Sequence, residues 1–562
     1  MAEIASKYIT AGGPYNWAGR SMIGDYPFKL FGTTFNFATF PSYLNATLCA
    51  LSFFGSMASV NSACAQALFS MNIMYYWGAE PTDVMKMRNM DIYMSSAPYY
   101  SHQGEYGTWK TLFGITVAIT VVQFLINQLP LKHMNKASWA SFWLMVFGCL
   151  MLIIGLPAIA PKHQSWKWVW TKWYTSCNGE LDSNGEPVDP TCTDPNPMGP
   201  IAFTGVEANG GSTGWMFCAG LLMSQFLVNC YDQPSHMAEE THHASWTVPR
   251  AIIGSYVCAG FLNLCILLSF LFSIQVPANL GYGITQGLYG VGSLFWDVFA
   301  ARFPDTNYAE GTMFPIDATC MLKTGIPCIN LVTGLPNPTT AGRNGAMFFT
   351  FIVACGAFIC GLMNTCSGAR FLYAWARDNG LPFSRYIRMV VNFNGVPVVA
   401  MSVFSVISIA FLCSNLSVNP LEGYLSVSAI SANGYLMAYG IPCLLRLTFA
   451  RNSFEASPDF DLGIFSKPMA ALGVAVSAFS VATIALPAYM PANKDNLNYA
   501  GVALGAAILI AMLFWPFASA VWGFVGPSSG IGHDSDSLKA GKAGLEPADA
   551  PTEKAVVADV GV

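Results

Sequence analysis

Charged side chains are scarce in this chain of 562 residues: Asp, Glu, Lys and Arg together make up 10% of it, against 53% hydrophobic residues. Water-soluble globular domains carry about a quarter charged residues. The deficit excludes an ordinary soluble domain and an intrinsically disordered chain. Because so apolar a chain needs a non-aqueous solvent, the composition predicts an integral membrane protein that has the lipid bilayer as its partner.

Positive charge is also in deficit, since the formal net charge is −5. Proteins that bind nucleic acids neutralise phosphates with Lys and Arg, so no nucleic-acid partner is expected. The first residues, MAEIASKYITAGGPYNWAG, lack the basic start and the apolar core of a secretory signal peptide. They are typical instead of the end of a helix that is followed by a turn at residues 11–14.

Residues that form catalytic centres in membranes are sparse as well. Histidines and glutamates cluster between residues 236 and 243 in a way that could suggest metal ligands, but a di-iron membrane oxygenase needs several such histidine clusters and the other four histidines are isolated. Asp232 is the one acid deep within an apolar run, whereas an intramembrane aspartyl protease needs two. We therefore predict neither an enzyme nor a resident metal or prosthetic cofactor.

Long apolar runs, by contrast, are abundant. Lipid can be spanned by helices or closed barrels, and a run of about 20 apolar residues marks a spanning helix. Ten such runs occur, at residues 43–77, 111–129, 138–160, 215–235, 248–275, 345–367, 396–412, 424–447, 468–491 and 499–524. The sequence thus predicts an all-α membrane bundle over residues 41–525.

The loops between the runs orient the chain. Lys and Arg concentrate in alternate short loops, and such basic loops face the cytoplasm; residues 1–40 are then cytoplasmic, and the long loops 161–214 and 276–344 are extracytoplasmic. Cys177 and Cys192 share the first long loop, and Cys320 and Cys328 share the second; two disulfides and four free thiols are both compatible with this placement. The segment 526–562, rich in Gly, Ser, Ala and Pro, is expected to be a disordered cytoplasmic tail.

The fourth apolar run contains a helix-breaking sequence, NCYDQPS, at residues 229–235. Pro234 cannot donate a backbone hydrogen bond and clashes with the preceding turn. Asp232 beside it costs several kcal/mol inside a membrane unless it has a role or a partner. Backbone groups freed at membrane depth are tolerated where they line a cavity. The pattern predicts an unwound binding segment; the alternative is a lipid-buried proline kink from which Asp232 snorkels.

Four segments in order carry a family resemblance. They are MAEIASKYITAGGPYNWA at the start, DQPSHMAEETHHASWTVPRAI from Asp232, SGARFLYAWARDNGLP from Ser367 and NLNYAGV from Asn496. The chain resembles an amino acid permease of the amino acid-polyamine-organocation superfamily, closest to fungal GABA and choline permeases and plant bidirectional amino acid transporters. The resemblance implies a leucine-transporter-like inverted-repeat bundle, in which helices one and six break at mid-membrane around the substrate.

The resemblance assigns the ten runs to family helices three to twelve and residues 1–40 to the end of helix two and a cytoplasmic loop. The first helix and most of the second then have no counterpart. Two interpretations stay open. One is an N-terminally truncated transporter, and the other is a short, non-transporting or regulatory member of the same family.

The resemblance also places the substrate at the break in the sixth family helix, beside helices three and ten. Small and hydroxyl-bearing side chains serve plain helix packing equally well, and the family usually has small residues where Gln233 and Pro234 stand. The candidate substrate-binding residues are Asn229, Cys230, Tyr231, Asp232, Gln233 and Ser235 at the break, Gly55 and Ser59 on helix three, and Asn433 and Tyr435 on helix ten.

Coupling and gating residues are less sharply defined. Asn364, Thr365 and Ser367 are able to offer oxygens to a cation, so coupling to H⁺, to Na⁺ or to neither stays open. Two charged clusters are predicted in cytoplasmic loops, and they are either gate ion pairs or solvated charge. The first cluster comprises Glu239, Glu240 and Arg250, and the second Arg370, Arg377 and Asp378.

Taken together, these features predict a secondary-active transporter of amino acids or related amines such as GABA or choline. It would work by alternating access in the plasma membrane or an organelle membrane.

Overall fold

The computed structural model describes residues 1–22, 26–30, 33–77, 107–171, 221, 224–227, 229–275, 291–304, 338–390, 396–416, 420–485 and 499–527. The four loop cysteines, the start of the fourth apolar run and the tail from residue 528 lie outside the described residues. The predictions of two disulfides and of a disordered tail therefore stay predictions.

The described residues form a helical bundle with one short β-hairpin. Its helices are α1 (Ala2–Lys7), α2 (Pro14–Ser21), α3 (Phe40–Trp77), α4 (Gly107–Ile126), α5 (Leu131–Leu150), α6 (Leu156–Ile159), α7 (Trp166–Thr171), α8 (Ala244–Ser273), α9 (Val291–Arg302), α10 (Thr340–Arg377), α11 (Ser384–Ile387), α12 (Val398–Leu412), α13 (Pro420–Leu447), α14 (Ser466–Ile484) and α15 (Ala500–Phe517). The 3-10 helices are Phe37–Thr39, Gln233–Glu240, Cys413–Leu416 and Gly463–Phe465, and π-helical turns cover Met151–Gly155 and Ala518–Trp522. In the hairpin, β1 (Pro27–Leu30) pairs antiparallel with β2 (Thr33–Asn36).

Six helical segments of the described chain are long and apolar enough to cross a bilayer. They are Phe37–Asn72, Lys136–Ile159, Ala244–Ser273, Thr340–Arg377, Gly463–Ile484 and Ala500–Trp522, and two shorter apolar helices cover Thr111–Ile126 and Val398–Leu412. Each of the eight coincides with a predicted run. The prediction of a multi-pass, essentially all-α membrane protein is confirmed. The count of ten spans stays a prediction, because run 215–235 is only partly described and run 424–447, which forms helix α13, is not among these eight.

Helix α3 forms the centre of the bundle. Among the 18 most apolar consecutive residues of its spanning segment 83% are buried, whereas the corresponding share for α8 is 6%. It packs against α10 and α13, and small residues at these contacts let the helix axes approach closely. A methyl group added at Gly434 would lie 2.1 Å from the Ser52 hydroxyl, so glycine is required where α13 crosses α3.

A buried amide pair ties α3 to two neighbouring helices. The side chain of Asn61 on α3 donates to Gln123 Oε1 on α4 at 2.8 Å, and Gln123 Nε2 donates back to Asn61 Oδ1 at 2.9 Å. Gln123 also donates to the Phe358 carbonyl of α10 at 3.0 Å. Reciprocal pairing satisfies both amides away from water, so Asn61 has a structural role.

The outward faces of α5, α8 and α15 carry large apolar side chains. Trp139, Phe147, Phe261 and Leu513 are each at least 60% exposed within the protein. Exposing such side chains to water is unfavourable, whereas contact with lipid chains is not. These faces are therefore the lipid-facing perimeter.

Helical structure extends beyond the predicted runs at two places. Helix α10 ends at Arg377 rather than at residue 367, because Gly368 still lies against Phe404 of α12 and the helix projects beyond its apolar part. The predicted loop 276–344 contains α9, whose residues from Gly292 to Ala300 are buried. At 12 residues, α9 is shorter than the run that marks a span, so sequence length alone missed it.

The contact between α9 and α10 can be tested at Gly345. A methyl group there would lie 2.2 Å from Cε1 of Phe299 on α9, so we expect Gly345→Ala to destabilise the protein by about 1–3 kcal/mol through overpacking. The matched control is Gly356→Ala on the same helix, where the nearest atom is Met145 Sδ at 3.6 Å. Thermal unfolding in detergent measures both. Equal unfolding temperatures for the two variants would contradict the packing.

Candidate functional site

The fourth predicted span is interrupted where the sequence predicted. Residues 224–227 are helical, Asn229 and Cys230 are not, and a 3-10 helix begins at Gln233. Cys230 has a φ of 64°, a left-handed conformation that few non-glycine residues adopt. Pro234 occupies the first turn of the 3-10 helix, where the missing N–H needs no intrahelical partner. The backbone is thus unwound over residues 229–232.

Asp232 is enclosed by protein at this interruption, with 0% of its surface exposed. The Tyr439 hydroxyl of α13 donates to Asp232 Oδ1 at 2.6 Å. His236 Nε2 lies 3.2 Å from Asp232 Oδ2, and the Ser235 hydroxyl donates to the Asp232 carbonyl at 2.7 Å. Both carboxylate oxygens therefore have protein partners, and Asp232 does not snorkel towards a membrane surface.

Several buried polar groups near the interruption have no hydrogen-bond partner among the residues that the structure describes. They are both side-chain amide atoms of Asn229, both of Asn433 and the hydroxyl of Tyr435. Phe226, three residues before Asn229, packs against a buried cluster that includes Ala429, one helical turn before Asn433. A buried group without a partner costs about 1–3 kcal/mol. Five such atoms on three candidate residues are a set of vacant donors and acceptors.

The other candidate residues at the interruption have identifiable contacts. Cys230 Sγ lies 3.9 Å from the Ser56 hydroxyl of α3. The Tyr231 ring lies 4.5 Å, centroid to centroid, from the Tyr439 ring. Gln233 Nε2 donates to Asn364 Oδ1 of α10 at 3.3 Å.

The two candidates on α3 are engaged in helix packing. Gly55 faces α13, where an added methyl group would lie 3.1 Å from Ser431 Cβ. The Ser59 hydroxyl donates to the Gly55 carbonyl at 2.9 Å and accepts from Ser428 at 3.0 Å. These contacts account for both residues without a ligand.

The two charged clusters meet on the predicted cytoplasmic side. Glu239 forms a two-point ion pair with Arg377, with distances of 3.0 and 3.1 Å, and Glu240 forms one with Arg370, with distances of 2.9 and 3.0 Å. The acids lie on the 3-10 helix, and both arginines lie on α10 rather than in a loop as predicted. Bidentate geometry favours defined ion pairs over solvated charge. Arg250 instead lies over the Trp246 ring, 3.9 Å from its centroid.

The N-terminal segment covers the interruption on the same side. The Ala11 N–H donates to Glu239 Oε1 at 3.1 Å, and the Ala11 carbonyl lies 2.7 Å from His236 Nδ1. Gly13 has a φ of 55°, and an added methyl group would meet His236 Cε1 at 2.7 Å. The Tyr15 hydroxyl donates to Asp378. Residues 11–15 therefore link the 3-10 helix to the end of α10.

The sequence alone missed the partners of Asp232. Tyr439 lies one helical turn after the candidate Tyr435, and His236 lies one turn after Asp232, so a search for i, i+4 neighbours would have found both. Ala11 contributes only backbone atoms and carries no side-chain signal.

The chain resembles known proteins over most of its length. A sequence model of the family described as amino acid permease matches residues 1–303 and 337–513. The amino-acid permease BAT1 of Arabidopsis thaliana is 25% identical over 533 residues, 94% of this chain and 83% of that protein. The thiamine transporter thi9 of Schizosaccharomyces pombe is 23% identical over 523 residues, 91% and 73% of the two chains. The GABA-specific permease of Saccharomyces cerevisiae is 25% identical over 325 residues, 58% and 49%.

The Tyr439 contact predicts a stability difference between two neighbouring tyrosines. Tyr439→Phe leaves a buried carboxylate oxygen without its donor, so we expect a loss of about 1–3 kcal/mol in the free energy of unfolding. Tyr435→Phe is the matched control, because the Tyr435 hydroxyl donates to no carboxylate oxygen in the described part of the chain. Thermal unfolding of both variants in detergent measures the difference. An equal or larger loss for Tyr435→Phe would contradict the assignment.

The Glu239 ion pair predicts a pH dependence of stability. Burial disfavours the charged carboxylate, but hydrogen bonds from Arg377 and the Ala11 N–H outweigh it and hold the pKa of Glu239 below the ordinary value of 4.5. A lowered pKa stabilises the folded state fully above pH 4.5, and this stabilisation is lost as pH falls through the folded-state pKa. We expect the stability difference between wild type and Glu239→Gln to shrink below pH 4.5. A difference that grows on acidification would contradict this sign.

Proposed function

We propose that this chain, which belongs to the amino acid permease family, is a secondary-active transporter of amino acids or related organic cations whose substrate binds at the interruption over residues 229–235. The proposal includes alternating access, in which the two sides of the membrane open in turn around this segment. The unwound segment within the bundle, beside buried polar groups that have no protein partner, is the observation that carries it.

The vacant polar groups support a zwitterionic or cationic substrate. An ammonium group donates hydrogen bonds to amide and hydroxyl oxygens, and a carboxylate accepts them from amide nitrogens. Asn229, Asn433 and Tyr435 offer both kinds of atom, and none of these atoms has a partner in the described part of the chain. A ligand that pairs with these atoms removes their desolvation cost and gains affinity by doing so.

Asp232 contributes charge rather than a vacant oxygen. Tyr439 and His236 occupy its two carboxylate oxygens. The groups that would contact the substrate directly are therefore the uncharged side chains around Asp232. A carboxylate in a low-dielectric interior still favours a cation nearby. This charge supports the choice of an amine-bearing substrate, in keeping with the GABA and thiamine named for two relatives.

The ion pairs on the predicted cytoplasmic side support a gate. Glu239 and Glu240 belong to the same 3-10 helix as the end of the interruption, and Arg377 and Arg370 belong to the facing helix α10. We propose that the two pairs hold this side closed and separate when it opens. Half-buried ion pairs suit such exchange, because water replaces their partners at modest cost.

Uptake into proteoliposomes tests the proposed function. We expect the purified chain to take up radiolabelled amino acids, GABA, choline or thiamine with saturation. Asp232→Asn should abolish or reshape this uptake, because it removes the buried negative charge while keeping the size of the side chain. Glu455→Gln, which changes an exposed carboxylate, is the control and should match the wild type. Absence of uptake by correctly folded wild-type protein would overturn the proposal and favour a non-transporting family member.

A further inference from the structure

The contact between Asp232 and His236 requires a proton. Both side chains are buried, at 0% and 1% exposure. His236 Nδ1 lies 2.7 Å from the Ala11 carbonyl oxygen. Because a carbonyl oxygen can only accept a hydrogen bond, Nδ1 must carry a hydrogen. A neutral imidazole has one N–H, so its other nitrogen, Nε2, is then a bare acceptor.

That acceptor faces a second acceptor. His236 Nε2 lies 3.2 Å from Asp232 Oδ2, and an ionised carboxylate has only lone pairs to offer. Two acceptors at hydrogen-bond distance repel each other, most strongly in a low-dielectric interior. The contact becomes attractive when one proton lies between the two atoms, either on the imidazole as a cation or on the carboxyl group.

Among the residues that the structure describes, no other group donates a hydrogen bond to Nε2 of His236 or Oδ2 of Asp232. From α13, the Tyr439 hydroxyl donates to the opposite oxygen, Oδ1. The Phe53 and Phe371 rings of α3 and α10 pack edge-on against the imidazole. The remaining titratable groups around Asp232 are thiols and phenols: Cys49, Cys230, Tyr231 and Tyr435. Within the described part of the chain, no Lys or Arg forms an ion pair with Asp232.

We propose that Asp232 and His236 form the binding site of the coupling proton, which makes the chain a proton-coupled transporter. This inference rests on the proposed function and names the ion that drives it. A proton from water on one side binds between Nε2 and Oδ2 and takes the pair from a net charge of −1 to zero. The same proton leaves to water on the other side, so no further reactant is needed.

The position of His236 connects proton occupancy to the gate. His236 and Glu239 lie on one eight-residue 3-10 helix. When the proton leaves, Nε2 and Oδ2 repel each other and their contact opens. The Ala11 residue that binds His236 through its carbonyl also binds Glu239 through its N–H. A displacement of His236 is thus passed to the Glu239–Arg377 ion pair through a single residue.

Simultaneous measurement of substrate and proton flux tests the proposal. In proteoliposomes with a trapped pH dye and a clamped membrane potential, wild-type substrate entry should acidify the lumen, and a more acidic outside should drive accumulation. In His236→Gln the proton flux per substrate and the accumulation driven by the pH gradient should be lost. His242→Gln, an exposed histidine on the same segment, is the control and should match the wild type. Wild-type uptake without proton flux, or an unchanged proton-to-substrate ratio in His236→Gln, overturns the inference while leaving the proposed function intact.

A measurement without transport separates the two proposals further. Nitrogen NMR of histidine-labelled protein in detergent and the infrared difference between wild type and Asp232→Asn report where the proton lies. We expect either a doubly protonated His236 or a protonated Asp232 carboxyl band. If His236 keeps hydrogen on Nδ1 alone and Asp232 stays ionised as the pH is lowered in the folded protein, the proton site is overturned whether or not the chain transports anything.

Discussion

The structure depends on one constraint: a backbone N–H or C=O within a bilayer has no water to bind, so an interrupted helix must lie inside protein. The break at residues 229–232 meets this condition because α3, α10 and α13 surround it. Helix α3 is buried along most of its length, and glycine and serine contacts bring α13 against it. A ring of lipid-facing helices therefore protects a centre in which irregular backbone and a buried acid are both tolerated.

Local properties of the sequence predicted the spans and the break. Apolar length marks a helix in lipid, and the missing N–H of Pro234 marks the point at which helical hydrogen bonding fails; neither depends on distant residues. The end of α10 could not be predicted in this way, because the contact of Gly368 with Phe404 extends the helix beyond its apolar part. Helix α9 was missed for a related reason, since its 12 residues, which include Asp297 and Arg302, are too few to suggest a span and it packs against α10.

Only one partner of each contact in the candidate site was predictable from the sequence. The sequence identified Asp232 and its neighbours, but Tyr439 lies 207 residues from Asp232, and Ala11 lies 225 residues from His236. Such pairings follow from how the helices assemble, which no local pattern encodes. The same limit applies to the charged clusters. Their residue types are compatible with solvated charge and with gate ion pairs. The pairing of Glu239 with Arg377 depends on the extension of α10 as far as Arg377, beyond its apolar part.

Ala11 makes both of its contacts to the 3-10 helix through backbone atoms. Its carbonyl contacts His236, its N–H contacts Glu239, and its methyl group takes part in neither contact. Scanning mutagenesis alters side chains, so replacement of Ala11 by another small residue would leave both hydrogen bonds in place and the position would score as unimportant. Replacing the peptide N–H by an ester oxygen would instead remove the Glu239 contact alone. A residue whose replacement by another small residue has no effect can thus connect the proposed proton-binding pair to the ion pairs of the proposed gate.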